Sequence, residues 1–449
     1  MPAQHHHSKN DAATDHDYAE RPVPESQRIP RYSLMMAWWA VCSAIFYMVV
    51  AAAMARSYGT LNALVGIVLT VIAYSLINAV ISRYAIRTGL NVSQFSQRLF
   101  GRAGALIATL IFCATALYYA VFEGYVMALV LSEWSTTLPM TISTAIVAAL
   151  GVSLIFGSVQ HWLDRFNGVL LPVYVAGMLI ALGVAFDEFG YPSGWLTRQP
   201  ESGTTFWGWA HTFAYYMGVW VLMMFTFDYA RLGRPQDEGF HSRITFGTPF
   251  YAMTFLFSAV IGILLDAAIP SDGLSEASIV LGLLELMGFG GLLLVWVTQS
   301  RINTANFYLA TINFEALTRA AGVRLHRIGA GCLIGLLAWF LMMADVFGYI
   351  LQALAWQGIF VVAWVGVALA HILRYPINAD TDGLSQRTPA WRSQGLIAWG
   401  VASLTGVIIM NVPPVASFSA PVTFLTALTL YALWAAHRRT ASSPGGETF

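Results

Sequence analysis

Charge is what this chain has least of. Only 10% of its 449 residues are Asp, Glu, Lys or Arg, whereas 57% are hydrophobic. A soluble domain carries roughly 25% charged residues, so the composition excludes an ordinary soluble fold and points to a polytopic membrane protein. Acidic and basic residues both number 23, the net charge is zero, and no basic surface calls for nucleic acid. Cysteine is scarce. Cys42, Cys113 and Cys332 all fall in apolar runs, which reads as small core residues without a disulfide. The chain has no HExxH, no GxSxG and no P-loop, so the usual signatures of metallohydrolases, serine hydrolases and nucleotide hydrolases are missing. The expectation is therefore not an enzyme, with no metal site and no cofactor. The first thirty residues lack the apolar centre of a signal peptide. Residues 1–31 read as a polar cytoplasmic tail, mostly disordered, in which His5, His6 and His7 form an incidental run; 438–449 reads as a second cytoplasmic tail.

What the chain does have is long apolar stretches. A span needs roughly 20 apolar residues, and twelve candidates occur: 34–55, 61–82, 104–131, 139–157, 166–186, 206–227, 246–265, 288–314, 328–344, 346–373, 395–411 and 421–436. Only Asp345 divides the ninth from the tenth, and 273–287 reads as a short helix lying outside before span eight. The basic residues test this count. With the N-terminus in the cytoplasm and alternating spans, all but three of the 23 Lys and Arg lie on the inner side. Arg56 and Arg198 are outside, and Arg301 falls inside span eight. That is the positive-inside pattern. It predicts that both termini lie in the cytoplasm; the expected location is a bacterial inner membrane.

Polar groups inside spans are costly and mark functional sites. Span eight carries the densest group: Thr298, Gln299, Ser300, Arg301, Asn303, Thr304 and Asn306. Gln299, Asn303 and Asn306 are spaced to share a helical face, and Asn offers donors and acceptors together. Span three carries Glu123, four residues after Tyr119 and so on the same face. Glu123 either reads a ligand or forms an internal ion pair with Arg301; the two are compatible. Span one is rich in small residues (Cys42, Ser43, Ala44, Ala51, Ala52, Ala53), which suits close helix packing or a broken helix whose carbonyls face an ion. His211 reads as a packing or gate residue, while His371 and Asp345 sit near span ends and are expected to be solvated.

Four segments carry a resemblance. RPVPESQR (21–28) is similar to a motif before span one, RTGLNVSQFSQRLFGRAGA (87–105) to the loop joining spans two and three, DYARLGRP (228–235) to the inner end of span six, and QSRINTANFY (299–308) to span eight of the nucleobase:cation symporter-1 family. In order and beside twelve spans, they cover about the first 320 residues. The last four spans agree in pattern only. The resemblance implies an all-α leucine-transporter-like fold: two inverted repeats of five helices (about 34–186 and 206–373), then two peripheral helices (about 395–436). No internal sequence repeat shows that symmetry. Spans one and six would be broken at mid-membrane, with substrate bound between spans one, three, six and eight.

The resemblance also implies roles. An aromatic pair would sandwich a planar N-heterocycle: Trp220 from span six, and either Tyr118 or Tyr119 from span three. Glu123, Gln299, Asn303 and Asn306 would read the ring edge. Ser43, Ser300, Arg301 and Glu123 would form the ion or coupling site. Sodium-coupled relatives place a small hydroxyl residue near position 301, so Arg301 is a departure. A guanidinium does not release its proton, and it would stand where Na⁺ binds, leaving H⁺ coupling through Glu123 as the expectation beside Na⁺. The expected function is import of a purine, cytosine or hydantoin-like ring by alternating access, with an amino-acid or amine carrier as the alternative. The expected partners are a small-molecule substrate and the lipid bilayer, without an obligatory protein partner.

Overall fold

The computed structural model describes residues 22–441 except 136, 157–158, 201–205, 271–276, 345, 347, 376 and 378–387. Among the described residues there is no strand; one isolated bridge pairs Ile29 with Gly233. Helix covers most of each of the twelve apolar stretches among the described residues. Among the described residues, seven helices are long and apolar enough to cross a membrane, or eight with one bent pair counted as a span. The remaining stretches fail that test for physical reasons. Met140–Phe156 (α5) and Arg327–Leu341 (α14) are short, span six is interrupted, and Phe289–Ala320 (α13) carries the polar cluster. The division at Asp345 lies outside the described residues. The short helix expected before span eight is present as Ala277–Met287 (α12).

Span one is the bent pair. Arg31–Trp39 (α1) runs into a 3₁₀ turn, Ala40–Ser43, and resumes as Phe46–Tyr58 (α2) at 44°. The small residues explain the break. Cys42 Sγ donates to Trp39 O at 2.9 Å and Ser43 Oγ to Ala40 O at 3.1 Å, so side chains take carbonyls that the helix would use. Ala44 then turns extended, with ψ 125°. Every residue from Phe46 to Ala55 is buried, which makes span one the axis of the core.

Span six was expected to break in the same way. Instead Gly208–Tyr216 (α7) and Val221–Ala230 (α8) are joined by a 3₁₀ turn, Met217–Trp220, whose flanking residues stay right-handed helical. The turn is held from Ile350–Arg374 (α15): Gln357 Nε2 donates to Gly218 O at 2.8 Å. A Cβ on Gly218 would lie 2.5 Å from Leu354 O, so only glycine lets α15 come this close.

The most extensive helix pairing joins α13 to Val92–Trp134 (α4), that is, span eight to span three. Ser393–Met410 (α16) and Ser419–Ala441 (α17) pack on α15 and on each other. The cysteines are free. Cys42 and Cys113 are buried, but Cys332 is exposed, which corrects its reading as a core residue. His371 is also corrected: it is 4% exposed and shares a 2.8 Å hydrogen bond with Tyr431 Oη rather than being solvated.

Three of the four sequence motifs meet at one end of the helix bundle. Arg28 is buried and donates to the carbonyls of Val23, Ile86 and Gly233. Ile29 N bonds Leu232 O at 2.9 Å and Val23 N bonds Gly89 O at 3.0 Å. Gly89, at φ +69°, ends Thr60–Thr88 (α3); a Cβ there would sit 2.9 Å from Val23 O. Asn91 and Gln94 form a reciprocal capping box at the start of α4, and Asp228 Oδ1 accepts Val92 N at 3.1 Å. The motifs are thus one joint, built to cap α4 and dock the N-terminal segment.

Candidate functional site

A cavity lies at the break of span one. Trp38 (α1), Val41, Ala44, Phe46 and Tyr47 line it from span one; Tyr119 and Glu123 from α4; Leu222, Phe225 and Tyr229 from α8; Ile302, Ala305, Asn306 and Leu309 from α13. Spans one, three, six and eight therefore surround it, the set expected from the sequence.

The predicted residues divide. Tyr119, Glu123 and Asn306 line the cavity together. The structure brings Tyr119 rather than Tyr118 to it; Tyr118 is half-buried beside Phe46 and Tyr119, at 6.5 and 5.2 Å between ring centroids. Trp220 is not brought to it. Its ring packs edge-on against Phe424 at 5.0 Å and Tyr74 at 6.2 Å, away from the cavity wall. Phe225 supplies the span-six aromatic in its place and stacks obliquely on Phe112 at 4.8 Å. Gln299 and Asn303 are buried next to the cavity without lining it. Gln299 Nε2 reaches Ser43 O at 3.5 Å, which ties α13 to the carbonyl freed by the break. Ser43 Oγ is spent on Ala40 O, and Ser300 Oγ lies 3.9 Å from Met127 Sδ. Neither hydroxyl lines the cavity.

Most of the apolar lining was missed by sequence reasoning. The aromatics Trp38, Phe46, Tyr47, Phe225 and Tyr229 are cavity residues, but they sit in aromatic-rich runs with no signal to separate them from packing. Gln357 was missed as well; its Nε2 lies 3.4 Å from Tyr119 Oη and orients that ring from span ten.

The electrostatics are unusual. Glu123 is 1% exposed and Arg301 5%, yet they form no ion pair. Glu123 Oε2 has no hydrogen-bond partner, and neither do Nε, Nη1 and Nη2 of Arg301. The expected internal ion pair is therefore not made. Gln299 Oε1, Asn303 Oδ1 and Asn306 Nδ2 are unpartnered too. Buried polar groups are nearly always satisfied. Five side chains with orphaned polar atoms along one helix interface thus define a place prepared for groups that the chain does not itself supply. No group of three or more metal-type ligands occurs among the described residues.

These features define the class: the fold of a membrane transporter with a central cavity at a broken helix. No family profile and no curated protein matches the chain in sequence. Solved structures match it in fold. Mhp1, a nucleobase-cation-symport-1 family transporter, in a closed conformation with bromovinylhydantoin bound, matches with a TM-score of 0.71 and 16% identity, over 96% of this chain and 97% of that one. The inward-facing conformation of Mhp1 matches at 0.75 and 14%, over 94% and 93%. A substrate-bound, outward-open Na⁺-coupled sialic acid symporter matches at 0.60 and 13%, over 94% and 92%. The chain thus has the fold of Mhp1, in the family that its four motifs resemble. The matched proteins are transporters rather than enzymes.

Proposed function

We propose that this chain is a secondary active transporter that imports a nucleobase or a related N-heterocycle, such as a purine, cytosine or hydantoin-like ring, by alternating access. The observation that carries the reading is the cavity itself: one chamber at the break of span one, with aromatic walls from Tyr119 and Phe225 and edge-reading groups from Glu123 and Asn306. Flat apolar faces with a few convergent polar groups suit a planar heterocycle. Twelve spans, an inverted repeat of five helices and cytoplasmic termini in a bacterial inner membrane complete the proposal, and they rest on the sequence pattern and on the fold shared with Mhp1.

Coupling is to a cation. Arg301 sits one turn before Ala305 of the cavity wall, beside the Ala40–Ser43 turn against which α13 packs. In this reading its fixed charge takes the place of a sodium ion, and Glu123 carries the coupling proton. The sialic acid symporter shares the fold and is Na⁺-coupled, so Na⁺ is the competing ion.

A second reading has a specific observation behind it. Glu123 lies among Trp38, Tyr47, Tyr119, Phe225 and Tyr229, and a carboxylate in an aromatic cage also suits an amine or amino acid. A thermal-shift screen of the purified protein separates the two, using uracil, cytosine, hypoxanthine and hydantoin against choline and neutral amino acids, with and without Na⁺. Stabilisation by rings supports the first reading. Stabilisation by amines alone overturns it.

A further inference from the structure

A permanent cation buried without any partner is the least expected feature of this molecule. Arg301 is 95% buried, and none of its three guanidinium nitrogens has a hydrogen-bond partner. An unpaired charge taken out of water costs several kcal/mol even after the protein relaxes, and guanidinium cannot escape that cost by losing its proton. Such a group is retained where something else supplies the counter-charge. The chain does not do so: Glu123, the carboxylate on the facing helix, forms no ion pair with it. The titratable groups that bear on Arg301 are Cys42 and Tyr229, both ordinarily neutral near pH 7. Tyr229 lines the cavity, and so do Ile302 and Ala305, the next residue and the residue one turn on along α13. Arg301 is not itself a lining residue; its unmatched positive charge stands behind the wall, beside Tyr229, in surroundings of low dielectric where an opposite charge is felt strongly.

We infer that the substrate is an anionic heterocycle: a ring with N–H groups along one edge and a carboxylate, or an equally acidic group, elsewhere. Glu123 and Asn306 read the N–H edge, and Arg301 neutralises the acidic group. The two unpaired charges of the site then find their partners on one ligand, and Glu123 and Arg301 stay apart because the ligand is meant to lie between them. The inference rests on the ring-transporter reading above and narrows it from heterocycles in general to acidic ones. It also gives Arg301 a task that a sodium substitute alone would not have, since a structural cation needs no counter-charge on the cargo.

The same counter-charge can come from an inorganic anion, so the test has separate arms. Binding to the purified full chain is measured for uracil, for uracil-6-carboxylate and for chloride alone, in the native protein and in Arg301→Gln. The expected result is that the carboxylate binds roughly ten- to hundredfold more tightly than uracil, the size of one charge-assisted hydrogen bond, and that Arg301→Gln erases the difference. Because the comparison between the two rings is made within the native protein, it holds even where the variant folds poorly. Equal binding of both rings overturns the inference and leaves the ring-transporter reading standing. Chloride that binds alone and competes with the carboxylate at millimolar concentration also overturns it, since the counter-charge is then inorganic. Failure of both rings overturns the ring-transporter reading itself.

Discussion

The Arg28 guanidinium donates to the Gly233 carbonyl at 2.7 Å, joining residues 205 positions apart in the chain. The same side chain also holds Val23 O and Ile86 O, so the segment before span one is fastened to the adjoining ends of spans two and six. In the alternating-access cycle proposed above, opening of this face breaks the Arg28 contacts.

Arg28→Ala leaves buried carbonyls without donors, at roughly 1–3 kcal/mol for each group left unsatisfied. The expected outcome is a lower thermal midpoint together with faster trypsin cleavage after Arg231 in the adjoining loop. Arg28→Lys should recover little of either, because one ammonium does not reproduce a planar fork with several donors. Unchanged cleavage in Arg28→Ala would show that the segment is not a latch.

The opposite end of the bundle has a counterpart. Asp266, near the C-terminal end of Ser258–Ala268 (α11), pairs with Arg56 and with Arg198, the latter at 3.2 Å. These are the two arginines that the charge pattern assigned to the outside. Their weights should differ. The Arg56 side chain is 9% exposed and that of Asp266 4%, whereas Arg198 is 41% exposed. Removing one partner of a buried pair costs about 3–5 kcal/mol, so Asp266→Asn and Arg56→Ala should both destabilise strongly. Arg198→Ala should cost under about 1 kcal/mol, as an exposed pair does. Thermal unfolding of the three variants measures the order, and equal losses would place the weight elsewhere.

Much of this architecture is written in the sequence. The scarcity of charge, the twelve apolar stretches and the inner bias of arginine all follow from the cost of polar groups in hydrocarbon, a strong and local constraint. Tyr119, Glu123 and Asn306 were legible for a similar reason: α4 and α13 are regular there, so i, i+3 and i, i+4 spacing predicts a shared face. The span-six aromatic was not legible. Each residue of a 3₁₀ turn advances about 120° rather than about 100°. A helical count back from Asp228 meets this turn only at Trp220 and is off there by about 20°; what keeps Trp220 from the cavity is its packing on Tyr74 and Phe424, which spacing along the chain does not show. Trp38 and Tyr47 were hidden by the break in span one, where both flanks face inward and periodicity stops distinguishing a wall from a core. The failure of Glu123 and Arg301 to pair could not be read at all, because spacing along each helix says nothing of how two helices are rotated against each other.

Glu123 tests the coupling. Replacing it with Gln keeps the shape of the side chain and its capacity to hydrogen-bond, but removes the carboxyl proposed as the proton carrier. In proteoliposomes, Glu123→Gln should lose uphill uptake driven by an inward proton gradient while retaining counterflow exchange of substrate, which needs binding and alternation but no coupling. The native protein should take up substrate without Na⁺. Uptake that requires Na⁺ and is indifferent to Glu123 would return the coupling role to sodium.

Tyr119, Phe225 and Trp220 separate the wall of the cavity from the packing around it. Tyr119 and Phe225 line the chamber, while Trp220 is wedged against Tyr74 and Phe424. Truncating a large buried aromatic to Ala costs about 3–5 kcal/mol of stability wherever it sits, so a lower thermal midpoint alone does not distinguish them. Substitution by Leu removes the flat face but retains most of the volume, and it separates ring stacking from cavity formation. Tyr119→Leu and Phe225→Leu should weaken heterocycle binding by roughly tenfold, as loss of an aromatic contact worth about 0.5–1.5 kcal/mol permits. Trp220→Leu should lower the thermal midpoint and leave the affinity of the surviving folded protein near native. Tyr118→Leu, one residue from the wall, should change neither by much. If Trp220→Leu instead abolishes binding while Phe225→Leu does not, the ring is held by the pair first read from the motif, and span six must rotate Trp220 into the chamber when the substrate enters.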